Sequence, residues 1–403
     1  MRNVLSYILV MVLIGSTVLL TVMPAIATGI PGDDDGNDNL TEKELASNIL
    51  NYMLGEGDLS LDELRDAAHV YAYWNGVPRT IVDTAERTVT IYKPVKKIVV
   101  LSSDGARALR ILGDEDNVVG ISETIQRHPY YFPDMSQEKS VGTWKEVDWE
   151  EIVALGPDLV ITYATGSINA DLAAEKLDPF GITVVGLYLY VTDEYKQIFD
   201  ELEKLAILLE KEEAAEKYFK WHDEYETRVH DFIAGKEKPN VFMTYTDGSI
   251  GKIMEIASYG PGAIDYTLCE KAGGRPITEV FSTKYPKVSA EWVLTENPDI
   301  IILKGGGVFG GWDNKAEPAD LIAQMLIGKN WDDITATENN KIYAVPWSIT
   351  NGLEHIYGEV LLAKICHPEL DIDSTEVYKE FLEDFMRVEY PEGKVLVYPP
   401  LAT

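Results

Sequence analysis

The sequence predicts an α/β protein of two similar lobes joined by one long helix, with a small helical unit ahead of them. Three observations carry that expectation. Strand-like and helix-like segments alternate in two separate stretches, the pattern of parallel sheets covered by helices. The stretch DWEEIVALGPDLVIT, residues 148–162, returns as SAEWVLTENPDIIIL, residues 289–303. Both copies read as a short acidic helix, a Pro-Asp turn and an apolar strand, with Glu150 matching Glu291, Pro157 matching Pro298 and Asp158 matching Asp299. Self-similarity of this kind marks a duplicated structural unit. Between the copies, Tyr218, Trp221, Tyr225, Val229 and Phe232 recur at spacings of three or four, one apolar stripe along a long helix.

Composition bounds the partners. A chain of 403 residues is too long for one ordinary core. With 46% hydrophobic and 10% aromatic residues it is not disordered. A formal net charge of −32 argues against nucleic acid, which needs a basic face, and against charge-driven docking on an anionic membrane.

The elements follow in order. Residues 1–27 read as a signal peptide: Arg2, an almost wholly apolar run from Val4 to Met23, then Ala25-Ile26-Ala27 as the cleavage site. The run is also about long enough to span a bilayer, so an uncleaved anchor is the rival reading. No Cys follows it, which excludes a lipid-anchored N-terminus, and no second apolar segment of membrane length appears. The expected location is outside the cytoplasmic membrane, in a periplasm or at the cell surface.

Residues 28–76 form the small helical unit. In DDDGNDNLTEKE, the residues Asp33, Asp35, Asn37, Asn39, Thr41 and Glu44 fall at positions 1, 3, 5, 7, 9 and 12 of a calcium loop, with Asn39 offering its carbonyl. Asp38 stands where such loops turn sharply on a Gly, and Asp tolerates positive φ better than most residues. A helix follows, with Leu45, Ile49 and Tyr52/Met53 on one face. DLSLDEL, from Asp58, echoes NLTEKEL, from Asn39. The segment resembles an EF-hand or dockerin-like loop–helix pair with one competent loop, which would take structural Ca²⁺.

The first lobe is expected over residues 77–192. RTIV and RTVTIY flank a polar turn as a hairpin; KKIVVLSS, NVVGIS, DLVIT and FGITVVGLYLY supply strands, with GARALRILG helical. Residues 193–236 are helical and hold the inter-lobe helix. The second lobe, residues 237–403, restarts the pattern with NVFMTYTDG, the helical AIDYTLCEKAGG, the second motif copy, the Gly-rich KGGGVFGGWD, KIYAVPW and a last helix near residues 354–366.

The ordered set KKIVVLSS, VVGIS, VGTWKEVDWEEIVALGPDLVIT, YPKVSAEWVLTENPDIIIL, KIYAVPW and LLAKICHPEL resembles the substrate-binding proteins of ABC importers for iron–siderophores, haem and vitamin B12. The resemblance covers about Pro78 to Leu370. It implies a rigid helical strut, a ligand cleft between lobes that closes only slightly, and delivery to a permease dimer with its ATPase. It places Glu150 and Glu291 where the family's docking glutamates meet Arg pockets on the two permease subunits. An iron complex, siderophore or haem, is the first expectation for the ligand and a corrinoid the alternative, since Trp144 aligns with a cobalamin-contacting Trp.

Cleft residues sit at strand carboxyl ends. The aromatic candidates are Trp144, Tyr163, Tyr245, Trp312 and Trp347, flat groups suited to a large planar or macrocyclic ligand. Arg107 and Lys304 are candidate anchors for an anionic chelate. The six His residues are scattered in sequence, which disfavours a bare metal ion as ligand. An enzyme is not expected: two Cys are too few for a nitrogenase-like cluster, and no nucleophile-elbow pattern occurs. A calcium-dependent cell-surface interaction protein is the more distant alternative, and it leaves the duplicated lobes unused. Cys269 and Cys366 lie in one lobe; vitamin B12-binding relatives carry a disulfide in this region, but their first Cys aligns with Ala272. A disulfide and two separate buried thiols therefore both stay open.

Overall fold

A computed structural model describes residues 29–143, 145–190, 195–246, 254–306, 311–350 and 352–401. The expected signal peptide lies outside these residues.

The N-terminal unit is two helices, Glu42–Leu54 and Leu61–Tyr73, each started by a capping box, Thr41 with Glu44 and Ser60 with Glu63. The sequence echo is thus two copies of one helix-start device, in which hydroxyl and carboxylate satisfy amides that lack helical partners. Leu40, Leu45, Ala67, Val70 and Trp74 join the main apolar core. Lys96 Nζ reaches Asp66 at 2.6 Å and His69 Nε2 meets Glu210 at 2.7 Å, so the unit is built onto the first lobe.

The hairpin β1 (Arg79–Val82) and β2 (Thr88–Ile91) forms as expected. The first-lobe sheet contains β3 (Ile98–Val100), β4 (Val118–Ile121), β5 (Lys139–Ser140), β6 (Leu159–Tyr163) and β7 (Thr183–Leu187), all parallel, in the order β5-β4-β3-β6-β7. The second lobe adds β8 (Asn240–Tyr245), a short antiparallel pair of β9 (Ile256–Ala257) with β11 (Lys287–Val288), β10 (Arg275–Pro276), β12 (Ile300–Lys304) and β13 (Ile342–Val345). Its parallel sheet runs β10-β8-β12-β13. The repeated strands β6 and β12 hold the same place, each between the lobe's first strand and its outer neighbour.

The repeat has a mechanical cause. Helix Trp149–Leu155 ends on left-handed Gly156 (φ 56) and helix Ala290–Glu296 on left-handed Asn297 (φ 45), the residue types that take this conformation most readily. The aspartate after the Pro then fixes the neighbouring strand: Asp158 Oδ2 accepts from the Lys96 and Lys97 amides, both at 3.0 Å, and Asp299 Oδ2 from the Asn240 amide at 2.8 Å.

The joining segment is two helices, Tyr195–Leu209 and Glu212–Ile233, broken at Glu210 (φ 60). The aromatic stripe lies on the second. Beyond helix His355–Cys366, residues Ser374–Glu380 and the turn Phe381–Phe385 pack under that stripe: Phe385 lies 5.6 Å from Tyr218 and 5.0 Å from Trp221, ring centre to ring centre. The chain then crosses back to the first lobe. Arg110 Nη2 donates to the Arg387 carbonyl at 3.3 Å, and Arg387 Nη1 pairs with Glu115 at 2.9 Å. The segment read as wholly second lobe thus ends by touching both.

Candidate functional site

Parallel sheets leave their crevices at the carboxyl ends of the strands, and a pocket of about 460 Å³ lies there in the first lobe. It is lined by Leu101 after β3, Asp104 in the first turn of helix Ser103–Leu112, Thr143 and Val147 after β5, and Thr162 and Tyr163 closing β6. The loop from Thr165 to Ile168 and Tyr190 after β7 complete it. The tyrosines brace one another edge to face: Tyr163 to Tyr190 at 5.9 Å and Tyr190 to Tyr188 at 5.5 Å, with Tyr188 hydrogen-bonded to Thr165.

The carboxyl ends of β8, β12 and β13 carry a second aromatic group. Tyr245 lies 4.8 Å from Tyr259 and 6.0 Å from Trp347. Beneath them Lys304 Nζ sits 5.1 Å from the Trp347 ring centre, 5.6 Å from that of Tyr259, and 2.7 Å from Asp265. Burial lowers the Lys304 pKa, and Asp265 opposes that pull.

One polar chain ties the two sets of strand ends together. Tyr163 Oη donates to Asp104 Oδ2 at 3.2 Å; Arg107 donates to Asp104 through Nη2 and to Glu354 Oε1 through Nη1 at 2.6 Å. Glu354 precedes helix His355–Cys366 and is fully buried, so the Arg107–Glu354 pair joins the lobes away from water. Burial pulls the Arg107 guanidinium down, but Glu354 and Asp104 more than reverse this and hold it above its ordinary value. Burial pushes the Glu354 carboxyl up against the pull of Arg107. Burial, then Asp104, keeps the Tyr163 hydroxyl above the ordinary tyrosine range and therefore protonated.

This arrangement has relatives. The sequence profile described as periplasmic binding protein matches residues 98–348, more than half of the chain. The chain belongs to the periplasmic binding protein family. It is 23% identical over 338 residues to the molybdate-binding protein MolA of Haemophilus influenzae, covering 77% of this chain and 92% of that one. It is 30% identical over 176 residues to the vitamin B12-binding protein of Salmonella paratyphi A, covering 43% of this chain and 62% of that one. Among solved structures, the TroA-like periplasmic binding protein FepB of Veillonella parvula superposes with a TM-score of 0.64 at 23% identity, over 78% of this chain and 98% of that one. At that identity the likeness speaks for the fold.

The binding protein's expected cleft residues divide. Tyr163 lies in the pocket wall, and Tyr245 and Trp347, both half-buried, lie at the second group of strand ends. Trp144 is outside the described residues. Trp312 is corrected: it is 1% exposed, bridges Val395 as an added strand residue, and packs in a small core with Ala344 and Val395. Arg107 and Lys304, the candidate anchors for an anionic chelate, are both buried in ion pairs within the protein. The pocket's Asp104, Thr143, Thr165, Ser167 and Tyr190 were not foreseen. The run of small hydroxyl residues in TYATGS, following an apolar strand, was the signal for the loop; Tyr188 and Tyr190 were hidden inside what read as one long strand.

Elsewhere, Glu150 and Glu291 are both exposed in the first turns of their helices, which Asp148 and Ser289 cap. In the N-terminal loop, Asp33 accepts from the amides of Gly36 at 3.1 Å and Asp38 at 2.8 Å, and Asp38 takes the left-handed conformation (φ 59). Carboxylate oxygens of Asp33, Asp35 and Glu44 lie within 4.8 Å of one another, while Asn37, Asn39 and Thr41 are exposed beside them. Cys269 and Cys366 are buried free thiols, the second of the two arrangements left open above.

Proposed function

We propose that this periplasmic binding protein is exported, captures an iron complex (a siderophore or haem) in the cleft, and delivers it to an ABC importer. The observation that supports this most is the pocket itself: a cavity of about 460 Å³ at strand carboxyl ends, walled by tyrosine and small hydroxyl residues, with Tyr245, Tyr259 and Trp347 at the matching ends of the other sheet. Rigid aromatics give a bulky ligand contact area at low entropic cost. A corrinoid is the second reading, favoured by the identity shared with the vitamin B12-binding protein. Titration with a ferric trihydroxamate, haemin and cyanocobalamin, followed by intrinsic fluorescence, tests both. Saturable binding with the probe recovered unchanged is expected; chemical conversion of a bound probe would replace a carrier with an enzyme.

We also propose that Glu150 and Glu291 dock on the two permease subunits, and that Asp33, Asp35, Asn37, Asn39, Thr41 and Glu44 bind one structural calcium ion. The symmetric placement of the two exposed glutamates on repeated helices supports the first. The convergence of Asp33, Asp35 and Glu44 supports the second.

A further inference from the structure

We infer that the cleft selects an uncharged or cationic complex and turns away oxyanions and polyanionic chelates. The inference rests on the reading that the cleft holds a metal complex, and it narrows that class to a neutral siderophore or a corrinoid, setting aside haem with its ionised propionates. Among the described residues that line the pocket there is no Lys or Arg, and the one carboxylate is Asp104. The rest of the polar lining is Thr143, Thr162, Thr165, Ser167, Tyr163 and Tyr190, neutral groups that both donate and accept.

Two cations near the strand ends are already matched. Arg107 is held by both Asp104 and Glu354, and Lys304 by Asp265. Counting these five groups, two positive charges face three negative ones. A charge buried with its partner attracts a third group only weakly, because releasing it would leave the partner uncompensated in a poorly solvated place. Helix Ser103–Leu112 points its positive end at the pocket, which by itself would favour an anion. That end is occupied: Asp104 sits in its first turn and Ser102 Oγ accepts from the Gly105 amide at 3.0 Å. Around this site the whole chain carries a net charge of −32, a field that lowers the local concentration of anions and slows their arrival.

What the lining does offer is an array of hydroxyls and ring edges. These bind amide and hydroxamate oxygens, or the amide side chains and flat face of a corrinoid. An anionic complex would meet Asp104 at the floor with no free cation among the described lining residues to offset it.

The full-length binding protein should be titrated with four probes by calorimetry and intrinsic fluorescence. Two are uncharged, a ferric trihydroxamate and cyanocobalamin; two are anionic, a ferric tris-catecholate and molybdate. The better uncharged probe should bind at least about tenfold more tightly than either anion. Added salt should then raise the affinity for the anions relative to the uncharged probe, since it screens repulsion. In Asp104→Asn, which removes one negative charge beside the ligand, the ratio should move toward the anions by about tenfold. An anion that binds as tightly as both uncharged probes overturns the charge selection and leaves the importer reading standing. A salt response of opposite sign overturns it too, and needs no variant. If none of the four binds, this inference fails, and the chelate reading rests on haemin alone.

Discussion

Cys269 and Cys366 sit among apolar side chains, where burial pushes both thiols up, Cys366 to about 12, so neither is a thiolate at neutral pH. Mass spectrometry of the unreduced protein after alkylation under denaturing conditions should find two labelled thiols per chain; a mass two hydrogens short, with no label, would mean a disulfide. A second group of buried residues sets the response to acid and base. His355 Nε2 meets His222 Nε2 at 2.8 Å and its Nδ1 donates to the Gly352 carbonyl at 3.0 Å. Burial lowers both histidines, His355 to about 3, so each contributes stability that is complete above the ordinary 6.5 and lost as pH falls below it, for His355 down through about 3. Glu359, buried beside Lys271, has the opposite sign: burial raises it from 4.5 to about 7, so its contribution is full below 4.5 and lost as pH rises through 7. Thermal unfolding compared between about pH 4 and about pH 8 should show Glu359→Gln gaining on the wild type as pH rises from 4.5 to 7, then keeping that margin unchanged. A constant offset across the range would remove Glu359 from the titration. The sequence displayed these charges but not their fate. Arg107 and Lys304 looked like ligand anchors because two of the carboxylates that hold them, Glu354 and Asp265, are distant in the chain.

Elements were legible where their signals are local. The repeated helix, left-handed cap, Pro-Asp turn and strand could be read directly, since each step is fixed within a few residues. The break at Glu210 and the crossing of the tail are tertiary outcomes, and no periodicity announced them. For the repeat, helix capping and docking predict different results. An acid in a helix's first turn is worth ~0.3–1 kcal/mol through the macrodipole. Glu150→Ala with Glu291→Ala should therefore cost little stability and leave ligand affinity intact, yet abolish stimulation of the importer's ATPase. Normal stimulation would leave these glutamates with capping alone. In the N-terminal loop, Thr41 and Glu44 form a capping box, and those hydrogen bonds hold the Glu44 carboxyl below its ordinary value. Calorimetry at millimolar calcium should give a weak binding isotherm, with Kd of roughly 10⁻⁴–10⁻³ M, that Glu44→Gln removes. An identical isotherm in the variant would place the ion elsewhere.

At the scale of the whole molecule, links among the described residues that cross between the lobes include helix Glu212–Ile233, the buried Arg107–Glu354 pair, and the returning tail through Arg387. Each resists a hinge for a separate reason: helical stiffness, the cost of parting buried charges, and hydrogen bonds to backbone carbonyls. X-ray scattering with and without a bound probe should show the radius of gyration changing by under about 1 Å; a larger contraction would mean that these links part on binding. The duplicated lobes and the strut were visible in the sequence, but the pocket's polar lining was not, because loops at strand ends carry no period. The tail also bears on how the molecule is made. Arg110, in the first lobe's opening helix, donates to backbone carbonyls of Met386 and Arg387, so a chain emerging from its N-terminus leaves that lobe with an empty seat until Arg387 is out. Completion of an early-made lobe waits on a segment made 276 residues later, and a chain cut short before that segment carries its defect in the lobe made first.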